Sequence, residues 1–307
     1  MIGQGTVEEL QLAGAELAGM VGRPAQSYWS ESVERLRANH IGMAAGYLIL
    51  FLAVVAVMAP LASQFVTHYD PTKQDLYSQF LGPGRQHWLG ADETGRDTFT
   101  RLVWGARVSL GVGFLTVGMQ IVVGGGVGLL AGFFGGWIDN LLMRIVDMVL
   151  AIPAIFLFIL MSILFTPNTL TLSMIIASVG WGGVARLVRG ETLSVRGRDF
   201  MLATRSLGAS NLRLMLRHLL PNVLPVMIVA ASLGVGAIIL AEAALDFLGF
   251  GIHPPTASWG NMLSNAQTYF AHSIWLVIFP GIMIFVTVLA ANLFGNAVRD
   301  AFDPRLR

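Results

Sequence analysis

The 307-residue sequence contains no cysteine and a single lysine, Lys73. The absence of cysteine excludes disulfides, thiolate metal sites and cysteine nucleophiles. Charged residues make up only 12% of the chain, whereas hydrophobic residues make up 55% and the mean hydropathy is +0.68. Soluble domains carry about 25% charged residues. The composition therefore predicts a protein that lies in a lipid bilayer.

Motifs of several enzyme classes are also missing. The chain has no G-x-x-x-x-G-K-[ST] phosphate-binding loop, no H-E-x-x-H zinc motif and no G-x-S-x-G nucleophile elbow. His253 and His272 fall in one loop, but the pattern supplies no further ligands for a metal. We therefore expect a non-catalytic chain without a metal or cofactor of its own.

Six apolar stretches are long enough to cross the membrane as helices. A hydrocarbon core of about 30 Å requires about 20 apolar residues at a rise of about 1.5 Å per residue. Backbone donors in lipid must find their partners within their own helix. The predicted spans are 41–65, 108–132, 143–165, 170–187, 223–245 and 274–294. The sequence thus predicts an all-α, polytopic membrane protein with six transmembrane helices.

The distribution of basic residues predicts the orientation. With the N-terminus inside, fourteen arginines fall on the inner side, and four arginines and Lys73 fall on the outer side. Because positive residues favour the cytoplasmic side, both termini and the inner loop 186–222 are expected in the cytoplasm. The predicted organisation is a cytoplasmic segment (1–40), a first transmembrane helix (41–65), an outer loop (66–107) and a core of five helices (108–307). In the first segment, Thr6 and Glu9 have the spacing of a capping box.

The inner loop has the pattern of a helical hairpin. Gly197 ends the helix that continues from the fourth span, and Gly208 ends the short helix that follows. Ser210 or Asn211 caps a second helix, which prolines then stop or kink. The hairpin (residues 198–220) has one apolar face and one basic face. Such a hairpin either lies on anionic lipid headgroups or is held by a protein partner.

Five separated stretches resemble the permease subunits of binding-protein-dependent ABC importers, in the dipeptide, oligopeptide and nickel class. The hairpin stretch DFMLATRSLGASNLRLMLRHLLPN is similar to the cytoplasmic loop that docks on the ATPase in that family. The other stretches are HWLGADETGRD followed by GARVSLGVG, ARLVRGETLSVRGRDF, AEAALDFLGFGIHPPTASWGNML, and NLFGNAVRDAFDPR. They follow the family's order and cover most of the chain after His40.

The resemblance implies a type I importer fold in the bacterial inner membrane. It also implies a homologous permease, two ABC ATPase subunits or domains and an extracytoplasmic solute-binding protein as partners, with no role for nucleic acid. ATP and Mg²⁺ would be bound by the separate ATPase subunits. The expected activity is ATP-driven import of short peptides by alternating access, or alternatively of a nickel chelate, glutathione or another small solute. Two other classes stay open: an ion-coupled secondary transporter, which often shows inverted repeats, and a membrane scaffold or channel.

The resemblance also assigns residues that couple the permease to the ATPase. They are Phe200, Met201, Leu202, Ala203, Arg205, Leu207, Gly208, Ala209 and Arg213. Where the family usually has Glu-Ala-Ala, this chain has Leu202, Ala203 and Thr204. Docking is therefore expected to depend on Leu202 and neighbouring apolar residues.

Polar side chains within the spans are candidates for the translocation pathway, because each is costly to place in lipid. They are Gln120, Ser162, Ser178, Ser232 and Glu242. Each serine is alternatively explained by a hydrogen bond back to its own helix. Glu242 is expected to pair with an outer arginine such as Arg107, to bind a substrate amine, or to lie at the membrane interface.

Local spacings give four further predictions. Glycines 124, 128, 132 and 136 form one small-residue helix face, which suits close packing within the subunit or at a moving interface. Arg144 and Asp147 have the i, i+3 spacing of an ion pair. The charged cluster at 92–97 is expected to form a salt-bridged turn. Trp259 and neighbouring aromatic residues are expected to anchor the last outer loop at the membrane interface.

Overall fold

The computed structural model describes residues 28–264 and 266–303. Its helices are α1 (Tyr28–Ala38), α2 (His40–Val57), α3 (Ala59–Ala62), α4 (Thr98–Phe134), α5 (Gly136–Ala151), α6 (Ala154–Leu164), α7 (Thr169–Arg196), α8 (Asp199–Ser206), α9 (Asn211–Arg213), α10 (Leu220–Phe247), α11 (Ala266–Tyr269) and α12 (Trp275–Phe302). Short 3₁₀ or π turns cover Ser63–Thr67, Leu76–Ser78, Leu214–Leu219 and Asn261–Leu263. The described residues contain no β-strand, which confirms the all-α prediction. The predicted capping box at Thr6 and Glu9 lies outside the described residues.

Five helical segments are long and apolar enough to cross a membrane: α2, α4, α7, the continuous run Asn211–Phe247 that contains α9 and α10, and α12. The sixth predicted span is not one straight helix. It consists of α5 and α6, which meet at a bend of 84°. The bend falls at Ile152 and Pro153, because proline has no N–H to continue the helical hydrogen bonds. Counting this pair as one span gives the predicted six.

Several helices, α4 and α7 among them, are longer than the apolar windows predicted. α4 has 37 residues and begins well before residue 108, because the Asp97 carboxylate caps it by accepting a hydrogen bond from the Thr100 N–H at 2.8 Å. α7 has 28 residues and continues to Arg196, where Gly197 ends it as predicted. Three arginines that the sequence placed in the inner loop, at positions 186, 189 and 196, therefore belong to a membrane-spanning helix.

The glycine face packs α4 closely against α7 within this chain. A Cβ atom at Gly124 would collide with the backbone carbonyl of Trp181, and one at Gly128 would collide with that of Ala185. At Gly132 a Cβ would come within 2.5 Å of the Thr192 side chain. Gly136 does not belong to this face, since it follows the end of α4 and a Cβ there would meet nothing within 4 Å. The three glycines thus set the separation of the two longest contacting helices.

The remaining spans complete the bundle around α4 and α7. α10 packs on α12, on α4 and on α7, and α12 packs on α2. At one end of α12, the amphipathic helix α1 contacts the last turn, where the Tyr28 hydroxyl donates to the Phe302 carbonyl at 2.8 Å. We call the end of the bundle that carries residues 198–220 the hairpin end. The other end carries the loops 68–97 and 248–274.

Candidate functional site

The hairpin has the helix, glycine turn and cap that the sequence predicted. α8 ends at Ser206 with Leu207 as its C-cap, and Gly208 follows with a φ of +82°, a conformation that glycine adopts without strain. The Ser210 hydroxyl then accepts a hydrogen bond from the Arg213 N–H at 3.4 Å and begins the second arm. The sequence leaves open whether the prolines stop or kink this arm, and they do not stop it. It runs through Pro225 into the span, because tertiary packing on both sides of α10 holds the helix together.

Met201 is the buried anchor of α8. Its side chain is 4% exposed and packs in an apolar cluster at the hairpin end of the bundle. This cluster also contains Phe133 of α4, Val195 of α7 and Leu214 of the second arm. Met201 therefore joins the hairpin to the ends of two spans, and it is not placed to contact an external partner.

The opposite face of the hairpin exposes large apolar side chains. Leu202 is 56% exposed and Leu207 is 88% exposed. The other exposed residues of the hairpin include Phe200, Ala203, Arg205, Gly208, Leu212 and Arg213, and Ala209 is half-buried. A recess of about 360 Å³ lies beside this face, between α8 and the ends of α4 and α7. Contiguous exposed apolar residues of this kind mark an interaction surface.

The arginines at the end of α7 tie the base of the hairpin to its neighbours. The Arg189 guanidinium binds the Asp139 carboxylate with two hydrogen bonds, at 2.5 and 2.6 Å. Arg196 donates to the Gly132 carbonyl at 3.2 Å. The predicted Arg144–Asp147 pair was wrong, because Asp147 instead binds the guanidinium of Arg186 at 2.6 Å across the α5–α7 contact.

A second polar centre lies at the opposite end of the bundle, and we call it the clamp (Ser109, Glu242, Asp246, Ser258 and Trp259). The fully buried Glu242 carboxylate accepts a hydrogen bond from the Ser109 hydroxyl at 3.1 Å. One turn later, Asp246 accepts hydrogen bonds from the Ile252 N–H, at 2.5 Å, and from the Ser258 hydroxyl. The two carboxylates of α10 thus hold the loop 248–263 against α4.

The predicted pairing of Glu242 with Arg107 was wrong. The Arg107 guanidinium lies over the Trp104 ring, 5.5 Å from its centroid. Residues 107 and 109 lie about 200° apart around a helix with 3.6 residues per turn. Ser109 faces Glu242, so Arg107 must face away from it.

Trp259 was also misplaced by the sequence prediction. It is fully buried, and its indole N–H donates to the Leu102 carbonyl of α4 at 3.0 Å. The indole packs on Gly105, where a Cβ atom would come within 2.9 Å of the ring. Gly105 was the available signal, because glycine in a helix allows the close approach of a large side chain. Trp259 therefore fastens the loop to the bundle and does not anchor it in lipid.

The charged cluster at 92–97 forms the salt-bridged turn that the sequence predicted. Arg96 donates to Asp92 at 2.7 Å and to Glu93 at 2.7 Å. Arg101 of α4 approaches the same Asp92 carboxylate at 3.3 Å. The turn is thereby fixed to the first turns of α4, beside the Asp97 cap.

The comparisons with known proteins agree with this architecture. Residues 124–307 match the family described as the binding-protein-dependent transport system inner membrane component. The chain belongs to this family. Residues 27–83 also match the N-terminal transmembrane domain of oligopeptide transport permease C. These matches confirm the resemblance drawn from the five motifs. The chain is a multi-pass inner-membrane subunit of permease type.

Several relatives of this permease match over nearly the whole chain. A protein named dipeptide transport system permease protein DppC, from Bacillus subtilis, is 38% identical over 94% of this chain and 90% of its own length. Oligopeptide transport system permease protein OppC from the same organism is 33% identical over 96% and 95%. Glutathione transport system permease protein GsiD from Pectobacterium atrosepticum is 37% identical over 91% and 92%.

The five pathway candidates of this permease lie in different surroundings. Ser178 and Ser232 donate to carbonyls of their own helices, at 2.7 and 2.8 Å, as the alternative explanation predicted. Gln120 packs its amide on Gly180 in the α4–α7 contact. Ser162 is buried, and its hydroxyl has no hydrogen-bond partner among the described residues. Glu242 belongs to the clamp. No hydrogen bond within residues 28–264 and 266–303 joins any two of the five.

Proposed function

We propose that this chain is one of two permease subunits of an ATP-driven ABC importer for short peptides, with both termini in the cytoplasm. The exposed apolar face of the hairpin carries the proposal, because Leu202 and Leu207 need a partner that covers them. The excess of arginine on the hairpin side supports a cytoplasmic position. A cytoplasmic ATPase subunit is the partner expected for a chain that has no phosphate-binding loop of its own.

The hairpin couples the ATPase to the spans through Met201. When two ATPase subunits close on ATP and push on α8, the force passes through the buried Met201 cluster to Phe133 of α4 and Val195 of α7. The bundle and its homologous partner then alternate between inward-facing and outward-facing states. The nine coupling residues divide by this geometry: Met201 positions the hairpin from inside, Gly208 shapes its turn, and the others form or border the docking face.

Exposed leucines account for docking of the ATPase in a chain where Leu202 replaces the family's usual glutamate. The exposed Leu202 side chain lines the recess at the base of α8, and Leu207 at the end of α8 is exposed as well. Burying one leucine contributes about 1.5–3 kcal/mol. Two such leucines supply the affinity that an acidic contact would otherwise help to provide.

A short peptide is the proposed solute because relatives of this chain are named for dipeptide, oligopeptide and glutathione transport. Glutathione itself is a second candidate, since GsiD relatives reach 38% identity, the same value as the DppC protein of Bacillus subtilis. A binding assay on the cognate solute-binding protein, with dipeptides and glutathione as probes, separates the two.

Copurification tests the docking proposal. The permease is extracted in mild detergent together with its neighbouring transporter subunits, and the bound ATPase is quantified. The amount of ATPase bound to the Leu202→Asp/Leu207→Asp double variant should be at least tenfold lower than the amount bound to the wild type. Each change removes apolar burial and adds a charge. Leu76→Asp is the matched control, since Leu76 is an exposed leucine at the opposite end of the bundle. A secondary transporter or a lipid-bound scaffold would bring no ATPase in any variant.

A further inference from the structure

A cavity of about 460 Å³ at the hairpin end has a lining that differs from the docking face. It lies between α1, the last turns of α7, the first turns of α10 and the end of α12. Its walls include Tyr28, Trp29, Glu191, Arg198, Asn222 and Phe302. The volume falls in the range of sites for small organic ligands, about 300–1,000 Å³.

One wall of the cavity is aromatic. The rings of Trp29 and Phe302 meet edge to face, with centroids 5.5 Å apart. Tyr28 contacts the same Phe302 ring at 6.1 Å and donates its hydroxyl hydrogen to the Phe302 carbonyl. This cluster fixes α1 on α12 and offers an apolar surface to a ligand side chain.

The other wall carries one acidic side chain, Glu191, and one basic side chain, Arg198. Within the described residues, neither Glu191 nor Arg198 makes a side-chain hydrogen bond or ion pair. Nearby arginines at positions 186, 189 and 196 of α7 are all paired. Asn222 uses its N–H₂ group to donate to the His218 carbonyl at 2.6 Å, which leaves its amide oxygen available as an acceptor.

We propose that this cavity binds a small zwitterion with an apolar side chain, and specifically a free dipeptide that has reached the cytoplasmic side. The Glu191 carboxylate and the Asn222 amide oxygen would accept hydrogen bonds from the ligand ammonium. The Arg198 guanidinium would bind the ligand carboxylate, and the aromatic wall would cover the apolar side chain. The peptide identity of the ligand rests on the proposed function.

The position of Arg198 gives this site a regulatory role. Arg198 is the N-cap residue of α8, directly before the first residue of the coupling helix. A ligand that bridges Arg198 to Glu191 of α7 and to the aromatic residues of α1 and α12 holds the hairpin in its present position. Accumulated product therefore slows the movement of α8 and inhibits further import.

The test uses the complete transporter in proteoliposomes with the ATPase sites facing outward, so that the outer medium corresponds to the cytoplasm. The solute-binding protein and radiolabelled Ala-Phe are sealed inside, and ATP is added outside to start transport. Unlabelled Ala-Phe in the outer medium is then titrated against the transport rate and ATP hydrolysis. N-acetyl-Ala-Phe-amide, which has the same side chains and no terminal charges, serves as the control ligand.

We expect outer Ala-Phe to inhibit the wild-type transporter and the uncharged analogue to have no effect. Glu191→Gln and Trp29→Ala should each raise the half-inhibitory concentration by about tenfold, with uninhibited transport retained, because each removes one ligand contact. Glu34→Gln, an exposed glutamate of α1 outside the cavity, should behave as wild type. Glu191→Gln preserves shape, so it remains informative if Trp29→Ala fails to assemble.

Three outcomes would overturn the inference. Transport that is insensitive to outer Ala-Phe contradicts the site and leaves the proposed import function intact. Absence of any Ala-Phe transport in the loaded vesicles contradicts the proposed function, and the inference that rests on it falls as well. Inhibition of transport by phosphatidylethanolamine in the vesicles, with no effect of the dipeptide, assigns the zwitterion site to a lipid headgroup instead.

Discussion

The turn at Gly208 tests whether the hairpin couples the ATPase to the membrane spans. A substitution there strains the backbone without a steric clash inside the chain. Gly208 has a φ of +82°, and a Cβ atom built there would meet nothing within 4 Å. Its N–H donates to the Arg205 carbonyl at 3.0 Å, which closes the end of α8. Within this chain, a substitution at this position therefore acts only through the backbone conformation.

The magnitude follows from the left-handed conformation. An L-residue in this region costs roughly 1–2 kcal/mol, and a β-branched residue lies at the upper end. A cost of this size changes a two-state population by about 5- to 30-fold. Gly208→Val should therefore lower ATP-driven transport by that factor or more, because the turn relaxes to negative φ and moves α8 away from its docking position. Asparagine tolerates positive φ, so Gly208→Asn should retain most of the transport.

The assay is peptide uptake by the reconstituted transporter, with membrane insertion measured separately from the amount of folded permease in the vesicles. Gly190→Val is the matched control, since Gly190 lies on the nearby helix α7 and a Cβ there also meets nothing within 4 Å. Full transport by Gly208→Val would refute the role of the turn in coupling. Equal loss in Gly208→Val and Gly208→Asn would refute the backbone argument and indicate a direct contact at this position.

Two stability predictions follow from packing. Gly128→Val should lower the Tm of the detergent-purified protein by roughly 2–10 °C, because the added side chain overpacks the backbone of α7; Gly126→Val, where a Cβ meets nothing within 4 Å, should leave it nearly unchanged. Trp259→Ala should cost about 3–5 kcal/mol at the clamp and expose the loop 248–263 to limited proteolysis. Trp88→Ala, at a half-exposed tryptophan of the first outer loop, should do neither. Unchanged Tm in Gly128→Val, or protease resistance in Trp259→Ala, would contradict the described packing.

The helical content and the hairpin could be predicted because each depends on local physics. The length of an apolar run decides whether a segment spans lipid. Gly208 ends one helix because glycine adopts a positive φ without strain. Ser210 begins the next helix because its hydroxyl caps it. The bend between α5 and α6 falls at Pro153, a residue that can kink a helix. Its 84° angle depends on where α5 and α6 pack, and no local pattern specifies that angle.

The clamp and the ion pairs could not be predicted, because their partners are far apart in sequence. Asp147 lies three residues from Arg144, yet it binds Arg186 across two helices. Trp259 looked like an interfacial aromatic residue because its loop has no basic residue, but the space beside Gly105 buries it. Among the hydrogen bonds of the described residues, Glu242 is the one pathway candidate that takes part in a long-range bond, and that bond serves packing of the outer loop.

The length of α4 has a mechanical consequence. Its 37 residues extend over about 55 Å, far more than the roughly 30 Å of a bilayer's hydrocarbon core. Its last turn contributes Phe133 to the cluster that contains Met201. Its early turns carry Leu102, Gly105 and Ser109, which contact Trp259. A tilt of only about 5° in such a rod would displace one tip by about 5 Å relative to the other. In the proposed importer, a small rotation of α4 at the hairpin end would thus move the opposite end of the bundle, where the clamp lies.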